Sequence, residues 1–133
     1  MKKKILLGIG IPFAVIAVLV LAGFLVFRGM TASLEAMMAE EIPILDFSTI
    51  PDGEYEGTKE AGPVKVVVKV EVAGGEVVSV EIVQHRNGQG AAGEAIVDSV
   101  LSSQTLQVDA IAGATYSSRC ILFAIAEALK DVY

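Results

Sequence analysis

From Ile5 to Phe27 the chain runs 23 residues without a charged side chain. At about 1.5 Å of rise per residue such a run, as a helix, crosses a hydrocarbon core about 30 Å thick. Gly8, Gly10 and Pro12 are compatible with that, since small residues and proline are frequent in membrane spans. Lys2, Lys3 and Lys4 precede the run and only Arg28 follows it. The positive-inside rule then places the N-terminus in the cytoplasm and everything after the span outside. A cleaved signal peptide is the rival reading. Its apolar region is normally about 7–15 residues long, and here neither a nearby Ala-x-Ala nor a lipid-accepting cysteine follows. The expectation is a single-pass anchor over residues 1–28 in the cell membrane, with an extracytoplasmic remainder.

That remainder is acidic. The net charge is −6, and the four cations flanking the span account for no acidic partner, so residues 29–133 carry −10. Such a surface repels phosphate backbones and argues against nucleic acid. The sole cysteine, Cys120, excludes an intrachain disulfide, and with the sole histidine, His85, it excludes cysteine or histidine metal cages. What is left is long enough for one small domain.

Residues 29–51 read as a juxtamembrane linker. Thr31 to Glu41 suits either a short helix or a plain stalk, of which the stalk is preferred. Pro43 and Pro51 mark Ile42 to Pro51 as extended. The domain is expected over 52–133. Asp52-Gly53 signals a turn, Tyr55 a first strand, and Lys59 to Pro63 a second turn. Val64 to Val72 alternates, with Val64, Val66, Val68, Val70 and Val72 on one face. Ala73 to Glu76 forms a hairpin turn, and Val77 to Gln84 returns. Strict alternation there puts Val78, Val80, Ile82 and Gln84 on one side and Val77, Ser79, Glu81 and Val83 on the other. Ala91 to Ser103 has helical spacing through Ala92, Ala95, Ile96, Ser99 and Val100. Gln104 to Val108 is short and extended, a possible further strand. Cys120 to Leu129 is apolar nearly all round, as a buried helix is, and Cys120 is most simply a core residue. The fold class is α+β: a small antiparallel sheet with two packed helices, preceded by one N-terminal transmembrane helix.

One stretch carries chemistry. Asp109 to Ser118 reads DAIAGATYSS. Gly113 lies between two alanines, and Thr115, Ser117 and Ser118 place hydroxyls at a helix start. Helix N-termini carry unpaired N–H groups and partial positive charge, which suit a phosphate. The same residues also suit ordinary N-capping. Arg119 is the one cation close to the motif in sequence. No nucleophile–histidine–acid arrangement can be read from spacing.

DAIAGAT resembles the Asp-x-x-Ser/Thr-Gly-Ala-Thr signature of the FMN-binding domain family, which includes the C-type subunit of sodium-pumping NADH:quinone reductases and the G-type subunit of related electron-transport complexes. The resemblance extends through Asp52-Gly53-Glu54-Tyr55-Glu56-Gly57 and covers roughly residues 52–130. It implies FMN as cofactor, esterified through its phosphate to Thr115 by a separate flavin transferase that uses FAD. Asp109, Gly113 and Ala114 fall on the signature's other positions, and Ala112 stands where the family usually has Ser or Thr. Asp109 is then a recognition or turn residue. Tyr116 and Ser117 follow the acceptor and are expected at the cofactor. His85, Asn87 and Gly90, in HRNGQG, loosely resemble a loop that lies near the flavin ring, and an exposed polar turn is the alternative. The resemblance implies an electron carrier working with membrane or extracytoplasmic redox partners. A subunit of an ion-pumping NADH or ferredoxin oxidoreductase, and a flavin-free binding module, are the other readings.

Overall fold

A computed structural model describes residues 2–86 and 91–133. Helix α1 (Lys2–Ala39) is unbroken for 38 residues, with Pro12 inside it. Among the described residues it is the one helix long and apolar enough to cross a membrane. Phe13, Leu19, Leu21, Phe24 and Phe27 are each more than half exposed along it. Its last three turns correct the expectation of a plain stalk, because Leu34 and Met37 have a core to pack on. The following segment is extended apart from a 3-10 turn, Phe47–Thr49, whose N-cap Asp46 accepts from the Ser48 N–H. It buries Leu45, Phe47 and Ile50.

Three strands follow, β1 (Gly53–Ala61), β2 (Val64–Ala73) and β3 (Glu76–Arg86). They pair antiparallel in the order β1-β2-β3. Strand β1 reaches Ala61, so the turn expected from Lys59 is confined to Gly62-Pro63. The five alternating valines of β2 are all buried, since one face of the sheet packs on a helix and the other faces water.

Strand β3 breaks the alternation expected of it. The pairing Val72↔Val77 is followed by Glu71↔Ser79, which leaves Val78 as an extra residue, and Val68↔Ile82 is followed by Val67↔Gln84, which leaves Val83 extra. Each bulge shifts the phase of the strand by one. Val77 is therefore buried with Val80 and Ile82 half-buried, while Val78 and Val83 are exposed. The second bulge also turns His85 onto the helix side, opposite the buried Val66.

A 3-10 turn, Ala91–Ala95, leads into α2 (Ile96–Ser103). Gly93, Ile96 and Val100 face inward; Ala92 and Ala95, expected on that face, are exposed. The chain leaves α2 through Gln104 in the left-handed region, whose side chain bonds both the Val77 N–H and carbonyl. That occupies the edge of β3 where 104–108 was a candidate strand; the segment forms none and instead buries Leu106. Helix α3 (Thr115–Leu129) crosses the inner face of the sheet and is buried at every residue from Ser117 to Leu129 except Arg119 and Glu127.

Candidate functional site

The site is built from a turn that lacks side chains to close it. Ala112, Gly113 and Ala114 offer no oxygen beyond the backbone. Gly113 takes φ +79°, a left-handed value that glycine adopts freely, and an added Cβ there would meet nothing within 4 Å. The Ala114 N–H donates to the Ile111 carbonyl at 3.0 Å, closing the turn. Ala114 is the N-cap of α3 and supplies no side-chain hydrogen bond. Ordinary N-capping by Thr115, Ser117 or Ser118 is thereby corrected: helical geometry begins at Thr115, so these hydroxyls lie inside the first turn. The orphan N–H groups of that turn are left without a side-chain acceptor from the cap.

Each hydroxyl has a different setting. Ser118 is fully buried; its Oγ accepts from the Ile111 N–H at 3.0 Å and donates to the Ala114 carbonyl at 2.8 Å. It fastens the turn to the helix it precedes. Ser117 faces inward and is buried. Thr115 is half-buried and Tyr116 is exposed, so the outward side of the first turn belongs to these two.

Ser117 meets His85. The His85 Nε2 lies 3.0 Å from Ser117 Oγ, and Nδ1 lies 2.8 Å from Glu94 Oε1. A carboxylate accepts, so in the neutral ring Nδ1 carries the proton and Nε2 accepts from the Ser117 O–H. The His85 side chain is 2 % exposed and that of Glu94 47 %. This is the serine–histidine–carboxylate order that spacing did not reveal. Because Ser117 is buried, the chain serves to tie β3, the 91–95 turn and α3 together. Gly93 adds to the same junction: a Cβ there would stand 2.9 Å from Ser117 Cβ and 3.1 Å from the Ser118 nitrogen. Glu94 and Gly93 had no signal in the sequence, since their role depends on the bulge at Val83.

The remaining candidates are placed as follows. Gly113, Ala114, Thr115, Tyr116 and Ser117 come together at the start of α3, with His85 beneath. Asp109 is exposed on the wall of an open groove of about 810 Å³ between Glu40–Ile44 and Leu106–Asp109. Arg119, the cation nearest the motif in sequence, turns away. Its guanidinium donates to the Met37 and Glu40 carbonyls at the end of α1 and lies over the Phe123 ring. Asn87 and Gly90 lie outside the described residues.

A helix N-terminus without a side-chain cap, reached through a turn of small residues, fits a phosphate: the donors are present and the approach is open. The architecture is that of a small α+β domain, and the sequence model of the FMN-binding domain matches residues 61–130, more than half of the chain. The chain belongs to this family and is a flavin-binding protein with FMN as its cofactor. No curated protein matches it.

Proposed function

We propose that the protein is a membrane-anchored, extracytoplasmic flavoprotein that carries FMN esterified to Thr115 and relays electrons. The observation that supports this reading is the half-buried Thr115 at the first position of an uncapped helix, inside the DAIAGAT motif. Attachment joins Thr115 Oγ1 to the FMN phosphorus of FAD. The pyrophosphate bond breaks, AMP leaves, and the hydroxyl proton passes to the transferase or to water. The resulting diester has about one negative charge fewer than free FMN phosphate, and the first-turn N–H groups of α3 solvate it. Charge supports a covalent link, because Arg119 is committed to α1 and the domain is acidic, so a free dianion would be held weakly.

Bound flavin supplies one- and two-electron transfer. The chain's own part is retention and placement. Ser118 fixes the turn, His85 and Glu94 fix Ser117, and α3 carries its dipole toward the phosphate. Helix α1 holds the domain at the membrane, with the lysine-bearing N-terminus inside. The partners are a flavin transferase that uses FAD, and redox proteins of the membrane or the space outside it.

The test is the full chain co-expressed with such a transferase, beside Thr115→Ala and Ala112→Ser. The expected result is a fluorescent band that survives denaturation and a mass increase of one FMN residue, both lost in Thr115→Ala. Colour that washes out on denaturing refutes the ester and leaves noncovalent FMN. Absence of flavin from every variant, native or denatured, refutes the carrier and leaves a flavin-free binding module.

A further inference from the structure

We infer that α1 is a rigid strut that holds the Thr115 end of the domain facing the lipid headgroups at a fixed height. This rests on the membrane-anchor part of the proposed function and is independent of flavin attachment.

Helix α1 continues past the apolar run without a break, and the domain is packed against its last turns. The tip of the β1–β2 hairpin touches it first: a Cβ on Gly62 would stand 2.6 Å from the Met30 carbonyl oxygen. Leu34 and Met37 then join the core. Arg119 holds the Met37 and Glu40 carbonyls, and Lys59 Nζ lies 2.9 Å from Glu40 Oε2. Met30 is three residues beyond Phe27, about 4.5 Å of helix. The hairpin tip therefore sits at the edge of the span, with no linker between.

Register gives the direction of α3. Gly57 lies against Ala124 and Ala128, whereas the Lys59 carbonyl meets Cys120. Moving along β1 toward Gly62 thus means moving along α3 toward Thr115. Lys59 pairs with Val66, Val66 with His85, and His85 bonds Ser117. Ser117 is level with Lys59, three residues from Gly62, or about 10 Å along the strand. The start of α3 points back toward the membrane, and its end, 14 residues on, lies about 20 Å farther out. A headgroup layer is about 5–7 Å thick, so Thr115 lies just above it. Whatever reaches that residue approaches along the membrane surface.

The chain has no tryptophan, so single tryptophans report position cleanly. Tyr116→Trp marks the near end and Tyr133→Trp the far end; both tyrosines are exposed. A second pair, Pro63→Trp and Val78→Trp, replaces either variant that loses its helical circular dichroism. Full-length chain without flavin is placed in vesicles containing dansyl-headgroup lipid, and energy transfer is read. Several-fold greater transfer from the near-end probe is expected. A flexible Gly/Ser insert of about eight residues between Arg28 and Gly29 should abolish the difference. Equal transfer from both ends without the insert overturns the strut, as does a difference that survives the insert. Failure of the chain to float with vesicles overturns the anchor as well, and leaves flavin attachment to its own assay.

Discussion

Two single residues show how the domain treats polar atoms that it buries. His85 is almost wholly inside, and the bonds to Glu94 and Ser117 offset the cost of removing an imidazole from water. Cys120 is held more weakly. It is fully buried on the face of α3 that meets β1, with the Lys59 carbonyl 3.4 Å from its sulfur and a further backbone hydrogen bond at Val66. Burial raises its thiol from 9.0 to about 11. The folded state then binds this proton more tightly than the unfolded chain does. The group's stabilising contribution is complete below about pH 9 and is lost as pH climbs through about 11. In detergent-solubilised chain, the urea midpoint should fall between these values, and Cys120→Ala should flatten part of that fall. Other groups titrating in the same window affect both proteins alike, so parallel pH profiles would refute the assignment.

At the scale of elements, the closest approach in the fold is β1 against α3. A Cβ on Gly57 would stand 2.0 Å from the Ala124 carbonyl oxygen and 2.4 Å from the Ala128 nitrogen. Both are backbone atoms of a buried helix, so the strand and helix must separate to admit a methyl group. Gly57→Ala should therefore cost about 3 kcal/mol or more, at the upper end of overpacking effects. Gly74→Ala is the fair comparison, for its φ is +64° with open space around the added carbon. Backbone strain alone should cost it about 1–2 kcal/mol. Thermal or urea unfolding that ranked Gly74→Ala as the worse change would refute the packing argument. The sequence announced the valine strand, the buried last helix and the phosphate-suited turn, because each is a local pattern with one period. It was silent on the bulges at Val78 and Val83, which follow from how β3 fits β2. His85, Gly93, Glu94 and Ser117 become neighbours only through that fit. Lys59 to Ala61 looked like a turn because its charged residues lie at a strand edge, where Lys59 sets its ammonium over the Phe123 ring and pairs with Glu40.

For the whole molecule, the question is where the folding unit begins. The composition shift at Asp52 suggests a domain of residues 52–133, yet Met37, Leu45, Phe47 and Ile50 are each at most 5 % exposed and belong to the same hydrophobic core. Fully burying a side chain of this size is worth about 1.5–3 kcal/mol. Four of them contribute about 6–12 kcal/mol, which is comparable to the entire stability of a typical small domain, about 5–15 kcal/mol. Removing the segment also leaves the Arg119 guanidinium without the Met37 and Glu40 carbonyls, and Lys59 without Glu40. A polypeptide of residues 52–133 should accordingly expose a strip of core along α3, bind a hydrophobic dye and unfold without a sharp transition. One of residues 29–133 should keep the last turns of α1, unfold cooperatively and bind little dye. Comparison of the two by urea titration and dye fluorescence decides the point. A cooperative transition of equal midpoint in the shorter chain would show that the core closes without α1, and the strut would then be a tether on an independent domain.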